Sequence, residues 1–94
     1  MKISLVIPAY NESAIIENTV NTAVRALADR PGGFELIIVD DGSTDNMADV
    51  LASLATGCVS FISYRDNRGK GGAVKAGMRA ARGDLVFFTD ADLA

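Results

Sequence analysis

The sequence predicts an α/β fold: a parallel sheet of about four strands in the order 3-2-1-4, with helices on both faces. Three observations predict it. Four short runs are nearly continuous in branched and aromatic residues, as strands buried on both faces are. Segments with apolar residues at helical spacing alternate with those runs. Acidic residues follow the ends of three of the runs. Alternating units of this kind form a parallel sheet, because each crossover is right-handed and returns the chain to the same end of the sheet.

The first strand covers residues 3–7 and is stopped by Pro8. With Ser13 as its N-cap, the first helix places Ile16, Val20, Ala23, Val24 and Leu27 on one face, and Pro31-Gly32-Gly33 ends it. The second strand covers residues 34–39, with Asp40-Asp41-Gly42 beyond its end. A helix starting at Ser43 or Thr44 follows, with Met47, Val50, Leu51 and Leu54 at helical spacing. The third strand covers 59–63. The third helix covers 71–82, with Val74, Gly77, Met78 and Ala81 inward and Lys75, Arg79 and Arg82 outward as a solvated face. The fourth strand covers 84–89. No repeat, linker or low-complexity tract interrupts the pattern.

Ninety-four residues, 49% of them hydrophobic, make one small domain. A chain of this size buries about 60–65% of its unfolded surface. Six of the nine basic residues lie between 65 and 82, giving that stretch +5 in a chain of net charge -3. A local positive stretch in an acidic protein suits a small anionic ligand and speaks against nucleic acid, which favours a basic domain. Cys58 is the only cysteine and there is no histidine, so an internal disulfide, a metal site of the CxxC type, zinc-style ligation and a histidine base are excluded. A bound metal would be held by oxygen, which points to Mg2+ or Mn2+. The N-terminus lacks the pattern of a signal peptide, and no apolar run approaches a membrane span. A cytoplasmic location, in solution or at the cytoplasmic face of a membrane, is the expectation.

In the order 3-2-1-4 the direction of winding reverses between the first and fourth strands, and ligands bind outside the carboxyl ends of strands at such a point. Past those ends lie Pro8 to Glu12, Asp40 to Ser43, and Asp90-Ala91-Asp92. Neighbouring strands are about 4.8 Å apart, so three adjacent tips fall within roughly 10 Å. Five carboxylates, Glu12, Asp40, Asp41, Asp90 and Asp92, are therefore expected in one crevice, where their repulsion calls for a cation. Asp90 and Asp92, two apart on extended backbone, would point the same way. Magnesium or manganese on one or two carboxylates commonly completes its shell with phosphates, so a nucleoside diphosphate is the simplest ligand. Taken singly these features are ordinary: Asp41-Gly42 reads as a turn, Ser43-Thr44-Asp45 as a helix start, and Tyr10-Asn11-Glu12 as the approach to a helix. Their coincidence at one end of the sheet favours a site.

The stretch Asn67-Arg68-Gly69-Lys70-Gly71-Gly72-Ala73-Val74 fits neither phosphate-loop pattern. Tyr64 stands where a Walker A motif needs glycine, Gly71 where it needs Ser or Thr, and Val74 where GxGxxG needs its last glycine. Its glycines still allow close backbone approach at a helix N-terminus, which favours an anion.

Together Ile7-Pro8-Ala9-Tyr10-Asn11-Glu12, Val39-Asp40-Asp41-Gly42-Ser43-Thr44-Asp45, the 67–74 run and Asp90-Ala91-Asp92 resemble the family 2 glycosyltransferases of the Rossmann-like GT-A fold. The 67–74 run and Thr89-Asp90-Ala91-Asp92 are similar to the dolichyl- or polyprenyl-phosphate sugar transferases. The resemblance implies roles residue by residue. Pro8, Ala9, Tyr10 and Glu12 would line a nucleotide pocket. Asp40 would hydrogen-bond the base, uracil or guanine, with Asp41 beside it, and Gly69 and Lys70 would border the same site. Asp90 would contact ribose or sugar, and Asp92 would bind the metal with Asp90 as its neighbour.

The reaction so implied is inverting transfer of a sugar from a UDP- or GDP-sugar to an acceptor such as polyprenyl phosphate. Residues 1–94 then form the N-terminal, nucleotide-sugar-binding part of a GT-A domain, truncated after the DxD motif and inactive alone. The general base and the acceptor half are expected downstream, with membrane association through a C-terminal region and a homo-oligomer as further expectations. Two alternatives stay open: a nucleotide- or metal-binding module without turnover, and a receiver-like phosphoacceptor built on Asp40-Asp41.

Overall fold

A computed structural model describes residues 1–92. The chain runs β1 (Ile3–Ala9), α1 (Ile16–Leu27), β2 (Phe34–Asp41), α2 (Met47–Leu54), β3 (Val59–Tyr64), α3 (Gly69–Ala80) and β4 (Leu85–Phe88). The strands form one parallel sheet in the order β3-β2-β1-β4, as the sequence predicts.

Side chains alternate between the faces of a strand, and the sheet has a separate core on each side. Ile7 and Ala9 of β1 and Leu36 and Ile38 of β2 meet α1 through Ile16, Val20 and Ala23, and α2 through Met47 and Leu51. On the other face Val6, Ile37 and Val39 meet α3 at Ala73. Complete burial of each large aliphatic chain here is worth about 1.5–3 kcal/mol, so the two central strands anchor the fold. Helix α3 approaches this second face so closely that a Cβ on Gly77 would overlap Val6 Cγ1.

The edge strands depart from the expectation of burial on both faces. β3 is half exposed, and all four residues of β4 are exposed, with Phe87 at 50% and Phe88 at 56%. The run Leu85–Phe88 reads as buried only because composition cannot tell an edge from a centre. Met78 likewise is half exposed on α3, where the inward positions are Ala73 and Gly77.

Several boundaries also move. β1 continues through Pro8, which pairs with Val39 on the β2 side. On the β4 side the last rung runs from the Thr89 N–H to the Val6 carbonyl at 3.1 Å. In a parallel ladder the next rung would need an N–H at residue 8, which proline lacks. β2 continues through Asp40 and Asp41, which pair with Ser63 and Tyr64 of β3. Ser13 does not cap α1: its own N–H donates to Asp45 Oδ2 at 3.1 Å, and the Ile15 and Ile16 amides donate to the Glu12 carbonyl. α2 starts only at Met47, whose N–H donates to Asp45 Oδ1, because Thr44 and Asp45 are engaged elsewhere.

β4, lacking side-chain cover, is tied to the sheet at both ends. At its start the buried Ser4 hydroxyl donates to Glu35 Oε2 and accepts from the Gly83 N–H, while the Arg82 N–H donates to the same Glu35 oxygen. At its end the buried Thr19 hydroxyl of α1 donates to the Ala91 carbonyl at 2.5 Å. Burial disfavours the Glu35 carboxylate, but the bonds from Ser4, Arg82 and Gly83 and the charge of Lys2 outweigh it and hold its pKa below the ordinary 4.5.

Two outcomes follow. Gly77→Ala should lower stability by about 1–3 kcal/mol in urea unfolding, the usual cost of forcing a methyl group into a filled contact. Since the folded pKa of Glu35 lies below 4.5, its contribution is full above that pH and is lost as pH falls through the folded value. Glu35→Gln should therefore show a smaller fall in stability than the parent between pH 5 and the acid transition, measured by denaturant titration at each pH.

Candidate functional site

An open cavity of about 280 Å³ lies at the carboxyl ends of β1 and β2, lined by Pro8, Ala9, Tyr10, Asp41, Asn67, Gly69, Lys70 and Asp90. It sits where β1 and β4 separate and where α3 begins. The β1–β4 pairing ends at Val6 and Phe88, and Pro8 offers no amide for the next rung, so the mouth beside it is open.

The wall formed by β2 depends on strand alternation. Asp40 shares its face with Ile38 and Leu36, on the side of α1 and α2. It is 3% exposed, and both carboxylate oxygens are bonded: Oδ1 accepts from the Ser43 N–H at 3.1 Å and Oδ2 from the Ser63 hydroxyl at 2.9 Å. Asp41 shares its face with Val39 and points to the α3 side, where the cavity is. Its Oδ1 accepts from the Tyr64 hydroxyl at 2.5 Å and from the Arg68 N–H at 2.8 Å. Burial, the bond to Asp41 and that carboxylate's charge push the Tyr64 phenol up to about 12, so it remains a proton donor in neutral solution. The Arg68 guanidinium stacks 4.0 Å over the Tyr64 ring and closes this corner.

The loops around the cavity hold one another. Asn11 has φ +53, the left-handed region that asparagine tolerates better than most residues. Its Oδ1 accepts from the Thr44 N–H at 2.7 Å and the Asp45 N–H at 3.3 Å, and its own N–H donates to the Ser43 hydroxyl at 2.9 Å. Gly42, at φ +71, lies against the next loop so tightly that a Cβ would sit 2.5 Å from the Asn67 nitrogen. Asn67 in turn donates from Nδ2 to the Asp41 carbonyl and accepts the Gly69 N–H, which starts α3 beside the cavity.

On the opposite wall Ala91 is buried in the core while Asp90 and Asp92 on either side of it are exposed, and the backbone at 91–92 is a turn and not the extended strand expected. Lys70 Nζ lies 2.5 Å from Asp90 Oδ1. Asp92 is not among the residues lining the cavity.

The expectation of five converging carboxylates is therefore corrected. Asp41 and Asp90 line the cavity, whereas Glu12, Asp40 and Asp92 do not. Among the described residues no three acidic side chains form a group that could hold a metal. Neighbouring strand tips are close, but residues adjacent along a strand project to opposite faces, and the sequence reading had placed Asp40 and Asp41 in a loop. Asn67 joins the lining, and Ser63 and Tyr64 support it. The signal for those two was their position opposite Asp40 and Asp41 once β2 is extended by two residues.

Residues 4–94 match the family described as Glycosyl transferase family 2. The chain is 39% identical, over 98% of its length and 29% of the relative's, to an undecaprenyl-phosphate 4-deoxy-4-formamido-L-arabinose transferase of Serratia proteamaculans. Among solved structures it resembles the mannosyltransferase PcManGT of Pyrobaculum calidifontis in complex with GDP-Man and Mn2+. The TM-score there is 0.82 and the identity 26%, over 96% of this chain and 27% of that one. It also resembles S. aureus TarS in complex with UDP, with TM-score 0.85 and 26% identity over 98% of this chain and 28% of that one. The chain thus spans less than a third of the length of these relatives.

Asn11→Ala removes the oxygen that accepts from the Thr44 N–H, the Thr44 hydroxyl and the Asp45 N–H, and leaves alanine in the left-handed region. Stability should fall by about 1–2 kcal/mol, and hydrogen exchange at the Thr44 and Asp45 amides should accelerate more than exchange in β2. Unchanged protection at both amides would contradict the role given to Asn11.

Proposed function

Because the chain belongs to glycosyl transferase family 2, we propose that it holds the nucleoside diphosphate of a sugar donor and forms the donor-binding part of an inverting glycosyltransferase. The observation that carries this reading is the cavity itself, with the half-exposed Tyr10 and Pro8 as an apolar wall, the Asp41 carboxylate at one end, and Lys70 with the α3 N-terminus at the other. A base would stack on the apolar wall with a ring N–H directed at Asp41. The first-turn amides of α3 beyond Gly69, whose own N–H is taken by Asn67, and the Lys70 ammonium favour the diphosphate. Asp90 is placed to accept from ribose or sugar hydroxyls.

This geometry moves the proposed base contact from Asp40 to Asp41, since both oxygens of Asp40 are already bonded on the far face of the sheet. It also favours uracil. Oδ1 of Asp41 already accepts two bonds, which leaves Oδ2 for one ring N–H. Uracil offers one such donor, N3–H, whereas guanine presents N1–H and N2–H side by side and would leave one of them unmatched.

Asp90 and Asp92 supply hard oxygen donors that fit Mg2+ or Mn2+ and no softer metal. Two carboxylates are too few to complete the shell of either ion, so the remaining positions fall to water and diphosphate oxygens. A divalent ion there neutralises the charge that grows on the departing nucleoside diphosphate. We assign the general base and the acceptor site to the further length that the relatives have. A polyprenyl phosphate acceptor fits the reading, because a phosphate monoester is largely ionised near neutral pH and needs no strong base. Such an acceptor would bring the enzyme to a membrane surface. Among the described residues, no helix is long and apolar enough to cross a membrane.

Calorimetric titration of the 94-residue chain with UDP and GDP in the presence of Mn2+ tests the assignment. UDP should bind more tightly than GDP. Asp41→Asn should weaken UDP by about tenfold, the scale of a lost charge-assisted hydrogen bond. Asp92→Asn should reduce the gain that Mn2+ gives. Failure of both nucleotides to bind would overturn the proposal, and equal affinities would overturn the choice of uracil.

A further inference from the structure

Lys70 and Asp90 stand on opposite walls of the cavity and are bonded to each other, Nζ to Oδ1 at 2.5 Å. In the reading above each has another task, Lys70 toward a diphosphate and Asp90 toward the metal and ribose, and neither can take it up fully while the pair persists. We propose that Lys70 is a built-in counter-ion that competes with the divalent cation for Asp90, and that an entering diphosphate draws Lys70 away. The metal then binds well only together with the nucleotide. This inference rests on the nucleotide reading and deepens it.

The geometry supports both positions of the ammonium. Lysine carries a compact charge on a flexible four-carbon stem. Gly69 before it and Gly71 after it have open space where a side chain would be, so neither crowds the swing of the stem. At the α3 N-terminus the Lys70 stem is within reach of an anion held by the first-turn amides. With Lys70 on Asp90 a doubly charged cation meets a neutralised carboxylate and a neighbouring positive charge. With Lys70 on a phosphate, Asp90 is a full anion. Linkage requires that metal and nucleotide tighten each other by the same factor, and Lys70 supplies part of it. The pair is about half exposed, 59% and 49%. Its weight in an equilibrium is accordingly at most about fivefold.

The test is Mn2+ binding followed by electron paramagnetic resonance of the free ion, with and without saturating UDP, at low ionic strength. Three proteins are compared: the parent chain, Lys70→Met, and Lys75→Met, which removes the same charge from the outward face of α3. Without nucleotide, Lys70→Met should bind Mn2+ about threefold to fivefold more tightly than the parent, and Lys75→Met should match the parent. The factor by which UDP tightens Mn2+ should shrink in Lys70→Met by a similar amount. Equal Mn2+ affinities in parent and Lys70→Met, the same gain in Lys75→Met, or no Mn2+ binding to any of the three would overturn the proposal. Should the Lys70→Met gain appear while UDP and GDP fail to bind, the competition stands and the nucleotide reading falls.

Discussion

Alternation along β2 is the constraint on which the site depends. Asp40 and Asp41 are adjacent in sequence, yet the sheet separates their side chains, one among the supports of the α1 and α2 side and one in the cavity on the α3 side. The same period of two places Ser63 opposite Asp40 and Tyr64 opposite Asp41, so each carboxylate finds a hydroxyl donor from the next strand. A buried carboxylate without such partners would be costly. The pair therefore serves two roles that no single acid could fill, one joining β2 to β3 from behind and the other lining the cavity.

Around that core of strand ends, side-chain bonds to backbone and one close backbone contact link the loops in a continuous chain. Asn11 binds the β2–α2 loop, Gly42 in that loop fits against residues 65–67, and Asn67 returns to the Asp41 carbonyl. Each joint uses a residue with special backbone freedom or a side-chain amide that copies a peptide group. The opposite wall is held differently. There a threonine from α1 fixes the Ala91 carbonyl, and the small Ala91 side chain enters the core so that its acidic neighbours face outward.

Much of this was legible in the sequence. Strand and helix order and parallel topology follow from alternating periods and the right-handed crossover, while the strand order 3-2-1-4 goes with the resemblance to the GT-A fold. The Pro8 to Tyr10, Gly69-Lys70 and Asp90 segments were correctly placed at one edge. What escaped depended on exact register. Ending β2 at Val39 rather than Asp41 hid the split between Asp40 and Asp41 and, with it, Tyr64 and Ser63. Ser13 looked like a helix cap because serine before an apolar period usually is one, but Asp45 of another loop claims its amide. The exposure of β4 was invisible for a plainer reason: the residues of Leu85–Phe88 are as apolar as those of β2, and what lies beside a strand is not encoded within it.

Proline at position 8 has a consequence for how the chain reaches this arrangement. During folding, the segment after Phe88 could keep zipping onto β1 and swallow Asp90 and Asp92 into a longer ribbon. A missing amide hydrogen at Pro8 leaves the Thr89 carbonyl without that rung, so pairing past Val6 gains one bond fewer than an ordinary residue would give. The chain is released into a turn at the height where Thr19 waits for the Ala91 carbonyl. One imino acid thus lowers the gain from lengthening the ribbon just where the acidic turn begins.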